Sequence, residues 1–291
     1  MSAQVLSNLT HQEWLAARKL GASDAPAILG LDSFRTPYQV WAEKVGLIPP
    51  PEETVAMRLG KRLEPVIAAE FAHQSGYEVE PCQRLYVCDD APYMTATPDY
   101  FVQVGAFVGL LQTKATNSYL APRWKDGPPD AVHIQNMHEL ACADLDFGYA
   151  ACLVGSTDFA FHRIERDDAV IEVLKAKLLI FWELVQTKTP PPMTGADADL
   201  VSVLYPHSNA NKHVKLGPDV EESIRMWKHA KNAAKLAKEQ ADTLEAQITV
   251  QMLDAEVATA GNYRVSWKTV ERKPYTVQAS SYRKFSVKEV A

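Results

Sequence analysis

The segment Thr97-Pro98-Asp99-Tyr100-Phe101-Val102-Gln103-Val104-Gly105-Ala106-Phe107-Val108-Gly109-Leu110-Leu111-Gln112-Thr113-Lys114 carries the densest pattern in this chain. Phe101 to Val104 and Phe107 to Leu111 are aromatic and β-branched runs parted by Gly105-Ala106, which predicts two antiparallel strands and a tight turn. Side chains alternate across a strand, so Gln112 and Lys114 share one face while Thr113 points away. Asp99, at the start of the first strand, is placed to reach that same face.

Two oxygen-bearing side chains and an ammonium group brought together in this way suit Mg²⁺ held by carboxylates and a substrate phosphate. The lysine would then position the attacking water or stabilise developing charge. An aspartate after a proline, an apolar run and an x-x-Lys ending is how one hairpin of a metal-dependent phosphodiesterase supplies its ligands. A second carboxylate belongs at the middle position, where this sequence has Gln112. Taken alone, the pattern also fits a solvated turn aspartate and a surface lysine on an edge strand.

Upstream, residues 12–19 predict a helix stopped by Gly21. Ser23 or Asp24 then caps a second helix over 25–29, with Pro26 tolerated in its first turn. Arg18, Lys19 and Ser23 thereby gather at a helix N-terminus, which reads as an anion site or as an ordinary capping serine with exposed basic neighbours. A third helix follows Thr36-Pro37. After Pro49-Pro50-Pro51, a longer helix is expected over about 53–74, where Val55, Leu59, Leu63, Val66, Ile67 and Phe71 recur at helical spacing and predict a buried face. Pro65 inside it releases a carbonyl and bends the axis, which would turn Glu64 toward a site instead of solvent. Arg58, Lys61 and Arg62 add local positive charge. A solvated helix face is the competing assignment for Glu64.

Beyond Gly76, strands are expected over 79–84 and 85–88, leading through 93–97 into the hairpin. The loop after Lys114 interleaves Asn117, Tyr119, Arg123, Trp124 and Lys125, which suits gripping a nucleic-acid strand by charge and stacking, or a surface loop. A helix from Asp130 to about Leu145 carries Gln135 near its start, where an amide can orient water or bond a phosphate. Strands over 149–154 and 159–164 precede a long amphipathic helix capped by Asp167 or Asp168. This order describes an α/β core with a mixed, curved sheet flanked by helices, occupying residues 1–189. Pro190-Pro191-Pro192 marks a boundary to a C-terminal extension, 190–291, of helix followed by a short β-element around Tyr263 to Lys268 and a second strand near 283–287. That extension shows no chemistry-bearing cluster, and packing, oligomerisation and DNA-path contacts all suit it.

Composition narrows the class. The chain has 291 residues, 47% of them hydrophobic, enough to bury a sizeable core. Mean hydropathy is -0.19 and no run approaches 18 apolar residues, so no membrane span is expected. Met1-Ser2-Ala3-Gln4 opens no secretory signal pattern. Cys82, Cys88, Cys142 and Cys152 lack C-x-x-C spacing and read as reduced core thiols of a cytosolic protein, not as cluster or zinc ligands. A formal charge of -6 excludes a uniformly basic coat but leaves room for a locally basic channel.

Gly21-Ala22-Ser23-Asp24-Ala25 with Arg18, Gly60 to Pro65 with Glu64, Thr97-Pro98-Asp99, Leu111-Gln112-Thr113-Lys114 and His133-Ile134-Gln135 follow one another in an order that resembles the YqaJ-type viral recombinases. That group includes the lambda exonuclease and belongs to the PD-(D/E)xK nuclease superfamily, with a restriction-endonuclease-like core. The resemblance covers roughly 12–185, and the C-terminal helix with Tyr-x-Val-x-Trp-Lys also looks like tails in that group. It implies a 5′-to-3′ exonuclease that digests one strand of duplex DNA processively and leaves a 3′ single strand for recombination. It further implies two Mg²⁺ ions, for which Mn²⁺ can substitute, a ring-shaped homotrimer, a single-strand annealing partner and a phage or prophage origin in a bacterial cytoplasm.

Carried over by matching motif, Glu64 and Asp99 would be metal ligands, Lys114 the water-positioning lysine and Gln135 a supporting polar residue, while Arg18 and Ser23 would hold the 5′-phosphate. Position 112 is a glutamate in the family pattern. Glutamine keeps the shape but loses the anionic oxygens, so a hard dication loses a charged ligand. DNA binding should survive this change, and cleavage should suffer. Gln112 is compatible with a substitution made to trap a DNA complex and with a natural variant. The alternatives are a non-catalytic relative that binds DNA ends and an iron-sulfur nuclease, the latter disfavoured by the cysteine spacing.

Overall fold

The computed structural model describes residues 4–7, 10, 13–14, 17–82, 84–272, 285 and 287, and the chain divides into two compact units, 1–204 and 205–291. The first unit opens with β1 (Gln4–Leu6) and β2 (Leu20–Gly21), then α1 (Asp24–Ile28) and α2 (Pro37–Lys44). Glu13, Trp14 and Ala17 are helical, while the rest of the helix expected over 12–19 lies partly outside the described residues. Gly21 does not stop that helix. It belongs to β2, which pairs in parallel with Met94–Thr95. Ser23 makes no capping bond either: its backbone is already helical, its hydroxyl accepts from Arg18, and Pro26 offers no N–H, while the Asp24 carboxylate takes the Gly21 N–H at 3.0 Å. α2 is closed by a capping box, Thr36 and Gln39 satisfying each other's backbone N–H groups, and the helix over 168–186 is capped by Asp167 as its sequence predicts.

The long helix α3 (Val55–Ser75) starts on Thr54, whose side chain accepts from Met57 N, and ends on Gly76 at φ 73°, a conformation that suits glycine. It runs on through Pro65. Its expected apolar stripe is buried only in part, since Val55, Leu59 and Val66 are exposed while Ile67 and Phe71 are buried. Burial develops only from about Leu63 onward, where the helix meets the sheet, so the first two turns carry their apolar side chains in the open.

Two sheets follow. β3 (Glu78–Pro81), β6 (Tyr100–Val104), β7 (Phe107–Thr116), β8 (Phe147–Val154) and β9 (Asp158–Glu165) form a mixed five-stranded sheet in the order β3-β6-β7-β8-β9. β4 (Leu85–Val87) and β5 (Met94–Ala96) join β1 and β2 in a smaller one. The hairpin is as expected: Val104 pairs with Phe107, and Gly105 takes φ 61° in the turn. β7 and β8 are parallel and so need a crossover. It is supplied by a 3₁₀ segment, Ser118–Trp124, and by α4 (Asp130–Ala143).

The alternation of β7 and β8 sorts the core into two layers. Leu111, Tyr149 and Ala151 meet Ile67, Ala68 and Phe71 of α3 on one face. Leu110, Ala150 and Cys152 meet Met137 and Leu140 of α4 and the buried stripe of α5 (Asp168–Gln186) on the other. Each fully buried Leu, Ile, Phe or Met among them contributes about 1.5–3 kcal/mol of hydrophobic stabilisation. Three of the four cysteines are buried in these layers as free thiols, and Cys82 is half-buried.

The first unit extends beyond Pro190-Pro191-Pro192 to include α6 (Ala198–Leu204), because Asp197 is buried and bonded by the Thr36 hydroxyl, and Leu200 is buried beside it. The second unit consists of α7 (Pro218–Met252), 35 residues long, and a hairpin of β10 (Val257–Ala260) and β11 (Tyr263–Ser266). The strand expected near 283–287 falls almost entirely outside the described residues. Among the described residues no helix is long and apolar enough to cross a membrane.

Candidate active site

β6 begins opposite Leu111, so Gln112 to Thr116 of β7 run past its end and offer free backbone groups at that edge. Asp99, just ahead of β6, fills the gap. Its Oδ2 accepts from Thr113 N at 2.8 Å, Thr113 Oγ1 at 2.9 Å and Gln112 Nε2 at 3.0 Å. Among the described residues these bonds all fall on Oδ2, leaving Oδ1 as the oxygen a cation would take. Gln112 and Lys114 lie on the α4 face, as the strand alternation predicts. Thr113 lies on the other face, yet its hydroxyl still reaches Asp99 because the carboxylate sits at the edge.

From α4, Gln135 ties these groups together. Lys114 Nζ donates to Gln135 Oε1 at 3.0 Å, and Gln135 Nε2 donates to Gln112 Oε1 and to Glu139 Oε1, each at 3.1 Å. An ammonium only donates, so the Gln135 carbonyl must face Lys114 and its NH₂ must face the other two. The Gln112 amide is oriented in turn, its oxygen toward Gln135 and its NH₂ toward Asp99. Lysine, two amides and a carboxylate thus form one directed chain.

Glu64 arrives from α3, on the other side of the sheet, and lines the same cleft of about 980 Å³ as Asp99, Gln112, Thr113, Lys114, Arg18 and Ser23. Burial, reinforced by the Asp99 charge, raises the Glu64 carboxyl above its ordinary value, with Lys114 and Lys61 opposing. Glu139 was not anticipated. It is 1% exposed, its Oε2 has no hydrogen-bond partner, and burial together with Asp99 pushes its carboxyl up to about 8. The signal that could have found it is its i+4 spacing from Gln135, which puts both on one helix face.

Arg18 donates to Ser23 Oγ at 3.1 Å and lies over the Trp14 ring at 5.1 Å. A Cβ on Gly21 would stand 2.7 Å from Arg18 Nη2, so a larger residue there would push the guanidinium out of this position. The anion site at a helix N-terminus is not formed as expected. The Asp24 carboxylate already occupies the Gly21 N–H, and Lys19 Nζ is bonded to the Pro92 carbonyl at 2.8 Å. Arg18 and Ser23 face the cleft as a side-chain pair instead.

Beside them, buried Asp24 pairs with Arg35 at 3.0 Å and Lys44 at 2.7 Å. Burial raises the Asp24 carboxyl, but Lys44 and Arg35 outweigh it and hold the group down at about 2. Asp24→Asn is therefore expected to cost about 2–3 kcal/mol in urea denaturation at pH 7. The folded value lies below the unfolded one, so this contribution is present above about pH 4 and disappears as pH falls toward 2. The difference between parent and variant should shrink in step.

Arg123, Trp124 and Lys125 do not gather at the cleft. Trp124 is 5% exposed, packed in the core, and its carbonyl is 2.7 Å from His162 Nε2. A ring so enclosed cannot stack on a base. Arg123 and Lys125 are exposed and border two other depressions. The aromatic character read as a stacking surface is spent on anchoring the crossover.

Among the described residues no group of three or more His, Cys, Asp or Glu stands close enough to hold a metal ion. The donors nearest that role are the carboxylates of Glu64 and Asp99, because the Gln112 amide turns its NH₂ to Asp99 and its oxygen to Gln135. Two carboxylates suit a hard cation that completes its shell with water and substrate phosphate.

This mixed sheet flanked by helices, with acidic, amide and lysine side chains at one edge, is a restriction-endonuclease-like fold. Its architecture is similar to the crystal structure of the alkaline exonuclease LHK-Exo from Laribacter hongkongensis, with a TM-score of 0.52 and 24% identity over 61% of this chain and 93% of that one. LHK-Exo in complex with dAMP gives a TM-score of 0.51 and 23% identity at the same coverage. Residues 13–146 match the YqaJ-like viral recombinase domain. The chain is also 31% identical over 273 residues to the uncharacterised protein YqaJ of Bacillus subtilis (strain 168), covering 91% of this chain and 85% of that protein. The chain belongs to the YqaJ-like viral recombinase family.

Proposed function

We propose that this chain is a Mg²⁺-dependent 5′-to-3′ double-strand DNA exonuclease of phage-type recombination, impaired in cleavage by Gln112. The supporting observation is that Glu64, Asp99, Lys114 and Gln135, drawn from distant parts of the sequence, line or border one cleft also lined by Arg18 and Ser23. When bound, Mg²⁺, or Mn²⁺ in its place, would polarise the scissile phosphate and lower the pKa of a bound water. Glu64 and Asp99 Oδ1 would hold it, since the Gln112 oxygen is taken by Gln135. Lys114, steered by the Gln135 carbonyl, would orient the water and offset developing negative charge. Arg18 and Ser23 would hold the 5′-phosphate, and Arg18 supplies a planar donor fork suited to a phosphate.

On this reading the chain assembles as a homotrimeric ring around DNA and hands the 3′ strand to a single-strand annealing protein in a bacterial cytoplasm. Digestion of duplex labelled at its 5′ and 3′ ends, with Mg²⁺ or EDTA, tests the activity. Mg²⁺-dependent loss of 5′ nucleotides is expected, and release only from 3′ ends, or release in EDTA, contradicts it. Arg18→Ala is expected to remove most of the preference for a 5′-phosphate over a 5′-hydroxyl, read as the ratio of kcat/KM for the two duplexes. Gln112 favours one second reading, a relative that binds DNA ends without cutting them. It predicts end binding with no nucleotide release even when position 112 is glutamate.

A further inference from the structure

We propose that Glu139 is a positioning residue for the metal site, restoring from behind Gln135 the negative charge that position 112 lacks. The inference rests on the metal-dependent reading above. Glu139 sits on α4 (Asp130–Ala143), one turn beyond Gln135, and both point at the β7 edge. The Gln135 NH₂ is shared between Gln112 Oε1 and Glu139 Oε1, each at 3.1 Å, so the two side chains occupy equivalent positions around one amide. One is a permanently neutral amide; the other is a carboxyl that burial keeps protonated in the metal-free chain and that a cation bound nearby would favour as the carboxylate.

Glu139 is buried, and its Oε2 faces no protein donor. A carboxyl oxygen left in that state is costly unless something outside the protein's own donors offsets it. Its electrostatic neighbours include Asp99 and Lys114, both from the cleft, so its charge is felt where a cation would bind. It is not a direct ligand in this geometry, since no three-carboxylate cluster forms among the described residues. Its effect passes through Gln135, whose orientation it fixes, and through its charge. Groups behind the metal ligands typically change metal affinity 10–100-fold when altered.

Mn²⁺ binding to the full chain, followed by loss of the free-ion electron paramagnetic resonance signal, tests this without reference to catalysis. Glu139→Gln keeps an acceptor for Gln135 and removes the charge, and is expected to weaken Mn²⁺ binding about tenfold or more. Adding Gln112→Glu to that variant is expected to return the affinity to the parent value, a rescue that a purely structural role would not produce. If Glu139→Gln binds Mn²⁺ as the parent does while Asp99→Asn no longer binds, the role of Glu139 is overturned and the metal site stands. If Asp99→Asn also binds as the parent does, the metal reading itself falls, and this inference with it. Should Glu139→Gln fail to fold, the double variant decides: parental affinity supports the proposal, and binding tenfold weaker contradicts it.

Discussion

Gln112→Glu is expected to raise Mg²⁺-dependent release of nucleotides from 5′-phosphorylated duplex by about two to three orders of magnitude, the scale on which removing one pre-organised charge-stabilising group acts. In the present chain the Gln112 NH₂ donates to Asp99 Oδ2 at 3.0 Å, so the amide satisfies Asp99 without any cation. Glutamate would put two carboxylates face to face at that distance. They can be reconciled by a divalent ion, or by a proton at a cost in binding. The metal-free variant should therefore be less stable than the parent, and Mg²⁺ should raise its melting temperature far more than it raises the parent's. Rates are read by nucleotide release and stability by thermal unfolding with and without Mg²⁺. Equal, slow rates for the two chains, with no difference in the response to Mg²⁺, would refute the view that position 112 limits cleavage.

Lys114→Met should abolish cleavage in the Gln112→Glu background, by about a thousandfold, while leaving affinity for duplex ends within a few-fold. Lys114 Nζ is held at 3.0 Å by the Gln135 carbonyl and reaches the cleft that Asp99 and Glu64 line. Methionine keeps an unbranched apolar stem close to that of lysine and removes the terminal ammonium with its donors and charge. On the proposed reading phosphate binding relies on Arg18 and other basic groups of the cleft, and it should persist. Single-turnover cleavage and fluorescence anisotropy with a labelled duplex separate the two effects. Equal loss of binding and cleavage would assign Lys114 to DNA affinity, not to the reaction.

Much of this site could be read from residue order because strand alternation is local and strict. Asp99 at the head of one strand and Gln112 and Lys114 on one face of the next follow directly from the period of two, and the register between Leu111 and Tyr100 fulfils it. Glu64 could be singled out, but the reason for its placement lies in tertiary packing. Its helix lies on the sheet from about Leu63 onward, which no periodicity distinguishes from the exposed turns before it. Glu139 escaped notice because a glutamate in a helix is ordinarily solvated, and only the enclosure by Gln135 and the sheet makes it unusual. Trp124 failed in the opposite sense. A tryptophan among arginine and lysine suits nucleic acid in sequence, yet the crossover between β7 and β8 brings that segment against the core. Thr113 was set aside as facing away, a sound inference about direction that missed how an edge aspartate can be reached from both faces. Gly21 was read as a helix stop, whereas the two-residue strand it forms depends on Met94 and Thr95, far along the chain.

The cation site proposed at the end of β6 draws Glu64, Asp99 and Lys114 from separate segments of the chain. Anomalous diffraction from crystals soaked in Mn²⁺ with a short 5′-phosphorylated duplex tests it most directly. Manganese is expected within coordination distance of Asp99 Oδ1, with Glu64 as a second protein ligand and Lys114 beside the terminal phosphodiester. Manganese bound elsewhere with that edge empty, or the duplex end seated away from Lys114, would contradict the account.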